Sequence, residues 1–312
     1  MGHTSLEMGT IFLMQTGAGI LGNSFLLFLY TFTLLTGKKK RPSDLILNQL
    51  VLANNLALFS RGIPHTMAAF GLKYFLDDAG CKVVLYFHRV SRGISLSTTC
   101  LLGGYQAIKL SPRTFWWMEF RNRTPKCIGF CSFLFWILQL LVNVYIPVRV
   151  ISPRSSKNVT VQINYGYCFL FKPNRFMSLF HAVIFSFIDI MCLGFMVCAS
   201  SSMIFILRRH KQQVQHIHSH RLSSRPFHEA RATHTILILV SMFVSCYCLS
   251  AILILCVTLI ANPRRWLLDT SVLVTSCFPV FSPFVLISSD SRVSQVCSVF
   301  CPRKKVLFFK YG

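Results

Sequence analysis

Long apolar runs alternate with short polar and basic segments along this chain of 312 residues. A bilayer core requires about 20 consecutive, mostly apolar residues in a helix. Seven stretches reach that length, so the pattern predicts seven transmembrane helices, spans 1 to 7. The predicted spans cover residues 10–36, 43–70, 80–108, 126–148, 177–207, 232–260 and 268–289.

The positions of Lys and Arg predict the orientation of these spans, because cytoplasmic loops carry an excess of both residues. Neither residue occurs before span 1, whereas a basic run begins at Lys38 directly after it. The four segments that would then face the cytoplasm hold 20 Lys and Arg, against 9 in the opposite segments. We therefore expect an outer N-terminus, an inner C-terminus and a short cytoplasmic tail at 290–312. Span 1 lacks a basic start and a small-residue cleavage site, so it is expected to be an uncleaved signal anchor.

Composition supports a membrane protein and excludes other classes. Charged residues make up 13% of the chain, about half the share that is usual in soluble domains. The formal charge of +23 would suit a nucleic-acid-binding protein, but the basic residues lie in short clusters between apolar runs. No nucleic-acid partner is therefore expected, and no segment has room for a soluble domain. The prediction is an all-α membrane protein, with one seven-transmembrane domain over 1–312 in the rhodopsin-like G-protein-coupled receptor arrangement.

Nothing in the sequence indicates an enzyme, a metal site or a cofactor. There is no nucleophile elbow, P-loop or HExxH helix. The histidines at 210, 216, 218 and 220 resemble a metal-binding tract, but a solvated basic loop is favoured. Most of the 13 cysteines lie within apolar runs, where a free cysteine behaves as a small hydrophobic residue.

Two cysteines and one glycosylation motif fall in predicted outer segments. Cys81 lies at the outer end of span 3 and Cys168 in the longest outer loop. Disulfides persist on that oxidising side of the membrane, so we expect these two residues to be bridged. Asn158 begins an Asn-Val-Thr sequon in the same loop and is the expected glycan site. A second sequon at Asn122 lies on the predicted inner side and should remain unmodified.

Charged residues inside the spans mark a candidate ligand site, because such residues are costly in a membrane and usually functional. On a helical wheel, five residues of span 3 from His88 to Gln106 fall within about 60° and form an inward polar stripe. Arg92 and Asp189 are expected at similar depth and are candidates to pair. A purely structural ion pair and a ligand contact are both consistent with that position. The cavity is expected in the outer half, between spans 2, 3, 5 and 7. Its expected ligand-binding residues are Arg61, His65, His88, Arg89, Arg92, Ser95, Thr99, Asp189 and Asp269.

Several motifs resemble those of rhodopsin-like receptors, and others depart from them. Gly22-Asn23 in span 1 and Trp136 in span 4 match that pattern. Span 3 ends in Tyr105-Gln106-Ala107 in place of Asp-Arg-Tyr, and Asn54 replaces the sodium-binding Asp. These departures resemble the vomeronasal type 1 receptor family. The stretches that carry this resemblance are 41–47 (RPSDLIL), 62–70 (GIPHTMAAF), 106–113 (QAIKLSPR) and 282–287 (SPFVLI).

The resemblance implies a pheromone receptor at the plasma membrane of vomeronasal sensory neurons. It implies a small volatile or steroid-like ligand, an inhibitory-class heterotrimeric G protein and no cofactor. A type 2 taste-like chemoreceptor is the alternative with the nearest architecture. A transporter or channel is less favoured, because no inverted repeat is visible. The residues expected to face the G protein are Gln106, Lys109, Pro112, Arg113, Arg208 and Arg209.

Overall fold

A computed structural model gives the fold as a bundle of long helices. It describes residues 3–37, 41–72, 75–110, 115–152, 161–165, 167–171, 175–216, 224–259, 265–290 and 293. Within these residues the bundle has seven helices, α1 to α7, and each predicted span overlaps one of them in order. Their bounds are His3–Thr36 for α1, Pro42–Ala69 with an internal π turn for α2, Asp78–Leu110 for α3, Phe115–Val142 for α4, Arg175–His216 for α5, Ser224–Leu259 for α6 and Arg265–Ser289 for α7.

Five of the helices in the described part of the chain have the length and apolar composition needed to cross a membrane. The other two, α2 and α3, carry polar residues that face neighbouring helices instead of lipid. Arg61 on α2 and His88 on α3 are both buried. The predicted fold class, an all-α membrane bundle of seven helices, is confirmed. The five apolar stretches are Leu6–Thr36, Lys126–Arg149, Ser186–Arg209, Thr233–Val257 and Trp266–Ser289.

Helix α2 changes its winding in the middle, which the sequence pattern does not predict. Its first part, Pro42–Ala57, continues into a π turn at Leu58–Gly62 and then into an α-helix at Ile63–Ala69. Pro64 lacks a backbone N–H and cannot donate to the carbonyl four residues earlier. The wider turn accommodates this loss, and π turns often occur at functional positions. Arg61 lies within the turn and is directed into the bundle, where it is only 8% exposed.

Polar side chains join α1, α2, α3 and α7 in the middle of the bundle. Pro283 cannot donate to the carbonyl of Pro279, which leaves that carbonyl without its helical partner. Asn23 supplies the missing donor through Nδ2, at 2.7 Å from the Pro279 oxygen. Asn54 donates to the Ser282 hydroxyl at 2.9 Å and accepts from the Ser95 hydroxyl at 2.8 Å. Pro283 is therefore tolerated in α7 because a neighbouring helix satisfies the freed backbone group.

A glycine allows α3 and α4 to approach closely. A Cβ atom added at Gly93 would overlap the side-chain amide of Gln139. Gln139 cannot easily move away, because its side chain is buried and its Oε1 accepts a hydrogen bond from Asn143 Nδ2 at 3.3 Å. The contact between the two helices thus depends on the absence of a side chain at residue 93.

The connection between α4 and α5 contains a small sheet that covers one end of the bundle. Its strands are β1 (Val150–Ile151), β2 (Val161–Asn164) and β3 (Phe169–Phe171), and β3 pairs antiparallel with both others. The sheet is an addition to the predicted helical fold. The predicted disulfide between Cys81 and Cys168 is confirmed, with Cα atoms 5.6 Å apart. It ties the sheet to the start of α3, and we call this the disulfide end of the bundle.

Candidate functional site

A cavity of about 40 Å³ lies between α2, α3, α6 and α7. Its walls combine aromatic rings with a few polar groups, the composition that is usual in small-molecule sites. Phe243 and Phe278 meet edge to face with ring centroids 4.6 Å apart. The lining residues are Ala57, His88, Arg92, Ser95, Phe243, Cys246, Tyr247, Ser250, Thr275, Phe278 and Pro279.

Arg92 links α3 to α6 across this cavity. Its Nη2 donates to the Ser250 hydroxyl at 3.1 Å, and its guanidinium carbon lies 4.4 Å from the centroid of the Tyr247 ring. The Tyr247 hydroxyl in turn donates to Asp189 Oδ2 on α5 at 2.5 Å. Three helices are therefore joined through one tyrosine.

The prediction that Arg92 and Asp189 form a direct ion pair is wrong. Neither side chain makes an ion pair with the other, although the structure describes both, because Tyr247 stands between them. The ring offers its face to the cation, and its hydroxyl offers a proton to the carboxylate. Opposite charges on α3 and α5 are thus coupled through an aromatic residue of α6.

A second group of charged residues lies between the cavity and the disulfide end. Arg61 Nη1 is 3.0 Å from His88 Nε2, and its guanidinium carbon lies 5.2 Å from the centroid of the Tyr165 ring. His65 Nε2 is 3.2 Å from Asp269 Oδ1, which joins α2 to α7. His88 borders the cavity and also contacts Arg61, so the two groups are continuous.

The polar stripe predicted on α3 is directed into the bundle, as its spacing indicates. His88, Ser95, Thr99 and Gln106 are buried, and Arg92 is half-buried. Of the nine expected ligand-binding residues, three line the cavity. The other six lie outside its lining. Those six are Arg61, His65, Arg89, Thr99, Asp189 and Asp269.

Helix α6 supplies four of the lining residues, and sequence analysis does not predict this. Phe243, Cys246, Tyr247 and Ser250 lie on one face of about two turns of a helix that is apolar on nearly every side. No polar stripe distinguishes their face. The prediction that α5 forms a wall is not met among the described residues, because none of its side chains lines this cavity and Asp189 contacts the lining residue Tyr247.

Four of the six residues expected to face the G protein are described, and they lie at the end of the bundle opposite the disulfide. Lys109, Arg208 and Arg209 are exposed there. The prediction that Gln106 faces the G protein is corrected by the structure. Its side chain is only 3% exposed, and its Nε2 donates to the Thr233 hydroxyl on α6 at 3.0 Å. It faces α6 and not the surface. Pro112, Arg113 and the expected glycan site Asn158 fall outside the described residues.

The seven-helix bundle, its disulfide and its interhelical cavity have the architecture of a G-protein-coupled receptor. The crystal structure of squid rhodopsin matches with a TM-score of 0.71, covering 96% of this chain and 81% of that chain. At 14% identity this match shows the fold alone. The model of the vomeronasal organ pheromone receptor family matches residues 6–299. The chain belongs to that family, as its motifs predict.

Named relatives agree with this assignment. Vomeronasal type-1 receptor 1 of Homo sapiens is 55% identical over 308 residues, which are 99% of this chain and 87% of the relative. Vomeronasal type-1 receptor 4 of Homo sapiens is 46% identical, over 91% of this chain and 95% of the relative. Olfactory receptor class A-like protein 1 of Danio rerio is 30% identical, over 93% and 92%. The chain is therefore a multi-pass chemosensory receptor and belongs to no class of enzymes.

Proposed function

We propose that this receptor binds a small volatile or steroid-like ligand in the cavity at Arg92 and activates an inhibitory-class heterotrimeric G protein. The proposal includes the plasma membrane of vomeronasal sensory neurons as its location. It also includes an outward-facing disulfide end and N-terminus, in keeping with the loop charges. The single observation that carries the proposal is the environment of Arg92.

Arg92 is a half-buried cation that borders the cavity and contacts a hydroxyl and an aromatic ring. Within the described residues no carboxylate pairs with it directly. A guanidinium is always protonated and donates well to carboxylates, sulfates and phosphates. A ligand with an apolar body and one anionic or strongly accepting group fits this arrangement, with the body against Phe243 and Phe278.

Ligand binding would require the cavity to widen. A volume of about 40 Å³ holds only a few water molecules, whereas ligand pockets usually enclose about 300–1,000 Å³. The aromatic rings of Phe243 and Phe278 are the side chains that would have to separate. Phe243 belongs to α6 and Phe278 to α7. A bound ligand would therefore favour an arrangement in which α6 and α7 lie further apart at this cavity.

Nucleotide exchange is the direct test of this function. Membranes that contain the receptor and a purified inhibitory-class heterotrimer should show exchange that depends on added ligand, in a screen of volatile and steroid-like compounds. Exchange with another G-protein class would exclude the proposed partner. Ligand-dependent ion current or substrate flux in proteoliposomes, with no exchange, would favour the channel or transporter alternative.

A further inference from the structure

Four buried polar side chains lie together beside the disulfide, and we call them the Arg61 cluster: Arg61, His65, His88 and Tyr167. Each is at most 8% exposed. Arg61 contacts His88 directly and lies over the Tyr165 ring. Tyr165 stacks on Tyr167 with ring centroids 6.2 Å apart, and Tyr167 lies edge-on to His65 at 6.4 Å. The cluster therefore forms one continuous set of contacts.

Each member of the cluster has a buried polar atom without a hydrogen-bond partner among the described residues. These atoms are Arg61 Nε, His65 Nδ1, His88 Nδ1 and Tyr167 Oη. Buried polar groups are nearly always paired, and each exception requires an explanation. Four exceptions in one cluster indicate a group that is shared between them.

Most of these atoms are donors. A guanidinium has no acceptor, so His88 Nε2 accepts from Arg61 and a neutral His88 carries its proton on Nδ1. Burial raises the pKa of Tyr167 to about 12, while Arg61 acts in the opposite direction. The Tyr167 hydroxyl therefore stays protonated at neutral pH and can donate. The unpaired donors of Arg61, His88 and Tyr167 would be satisfied by a group that accepts hydrogen bonds.

The charge of the cluster indicates the same kind of group. Arg61 carries a fixed positive charge, and its contacts are an imidazole and an aromatic ring. No carboxylate in the described part of the chain pairs with it. Asp269 contacts His65 instead, at 3.2 Å. A charge buried among helices is retained when it is paired, hydrated or used.

We propose that the Arg61 cluster binds one compact anion, which accepts from Arg61, His88 and Tyr167. Two sources share this chemistry. One is a free halide such as chloride. The other, which rests on the proposed function, is a second anionic group of a ligand whose body lies in the neighbouring cavity and contacts Arg92. His88 lines the cavity and also contacts Arg61, so a ligand in the cavity lies next to the cluster.

The test uses the purified full-length receptor in nanodiscs without G protein, so it is independent of receptor signalling. The thermal unfolding midpoint is measured while chloride, or hexanoate as a carboxylate with an apolar tail, replaces gluconate at constant ionic strength. We expect the midpoint to rise and saturate with one of these anions. Saturation with chloride identifies a free halide, and a rise with hexanoate alone identifies a ligand group. A midpoint that follows neither anion would overturn the proposal.

Variants locate the effect within the bundle. Tyr167→Phe removes a hydroxyl that makes no hydrogen bond with any described residue, so the fold should remain intact and the apparent anion affinity should fall about tenfold. Arg61→Gln should abolish the saturable rise. Lys82→Gln, which removes an exposed charge near the start of α3, serves as the matched control and should retain it. Retention of the rise in both Tyr167→Phe and Arg61→Gln, or its loss in Lys82→Gln alone, would contradict an anion at Arg61.

Discussion

The Tyr247 hydroxyl on α6 donates a 2.5 Å hydrogen bond to the Asp189 carboxylate on α5, while the ring of the same tyrosine lies beneath Arg92 of α3. One residue thus joins the acidic and basic groups of two other helices. Any ligand group that draws Arg92 away from the ring would also loosen the contact between α3 and α6. This relationship is the basis of the first prediction.

Tyr247 and Asp189 should behave as one unit in a double-mutant cycle. Tyr247→Phe and Asp189→Ala each remove the hydrogen bond, so each should lower stability by about 1.5–3 kcal/mol, the usual contribution of a hydrogen bond to a charged group. The double variant should cost clearly less than the sum of the two. The loss of stability in each variant is measured as a change in the heat resistance of the detergent-solubilised receptor. Tyr86→Phe, whose hydroxyl contacts the Leu140 carbonyl, should instead be additive with Asp189→Ala, and additivity for Tyr247 would contradict the coupling.

The hydrogen bond between Gln106 and Thr233 should restrain basal activity. It joins α3 to α6 at the end opposite the disulfide, and both side chains are buried. If coupling requires these helices to separate there, Thr233→Val should raise ligand-independent nucleotide exchange about 2- to 10-fold, which corresponds to a bond of roughly 0.5–1.5 kcal/mol. Thr233→Ser keeps the hydroxyl and is the control. Unchanged basal exchange in Thr233→Val would exclude this restraint.

Gly93→Ala should reduce the amount of folded receptor. The added methyl group would overlap Gln139 Oε1, and relief would require Gln139 to give up its hydrogen bond with Asn143 or α3 and α4 to move apart, at a cost of about 1–3 kcal/mol. Gly194→Ala is a matched control, because no neighbouring helix in the described part of the chain comes within 4 Å of a Cβ at that position. Surface expression and heat resistance should fall for the first variant only. Equal behaviour of the two alanine variants would show that the contact with α4 is not tight.

Removal of the sequon at Asn158 tests the proposed orientation. Asn158→Gln should eliminate the whole glycan-dependent shift in electrophoretic mobility, because only the outer side of the membrane carries N-glycans. Asn122→Gln should leave that shift unchanged. Loss of the shift in the Asn122 variant would reverse the orientation. An epitope tag at the C-terminus should be accessible only after cells are permeabilised.

Helical periodicity and loop chemistry account for most of what the sequence predicts correctly. The inward stripe on α3 follows from spacing alone, since residues on one face of a helix recur at fixed intervals. The disulfide follows from two cysteines at predicted positions on one side of the membrane. Two predictions for Gln106 disagree, because it belongs to the inward stripe and is also predicted to face the G protein. Its hydrogen bond to Thr233 on α6 agrees with the inward position.

The remaining features depend on tertiary packing that a single sequence does not reveal. The π turn that contains Arg61 lies directly before Ile63 and Pro64, and the proline alone does not predict this winding. Tyr247 is one aromatic residue in a long apolar helix, so nothing in its spacing marks it as the link between Arg92 and Asp189. Charge alone suggested a direct pair. The structure places a ring and a hydroxyl between the two charges instead.

The ligand response of Arg92→Ala, measured per receptor at the cell surface, decides whether Arg92 binds the ligand. Arg89→Ala is the matched control, because Arg89 lies on the same helix but outside the cavity lining. Loss of a charge-assisted hydrogen bond of about 1.5–3 kcal/mol should raise the ligand concentration for half-maximal nucleotide exchange at least about tenfold. Arg89→Ala should respond normally. A full response from Arg92→Ala at normal surface level would contradict a ligand site at Arg92.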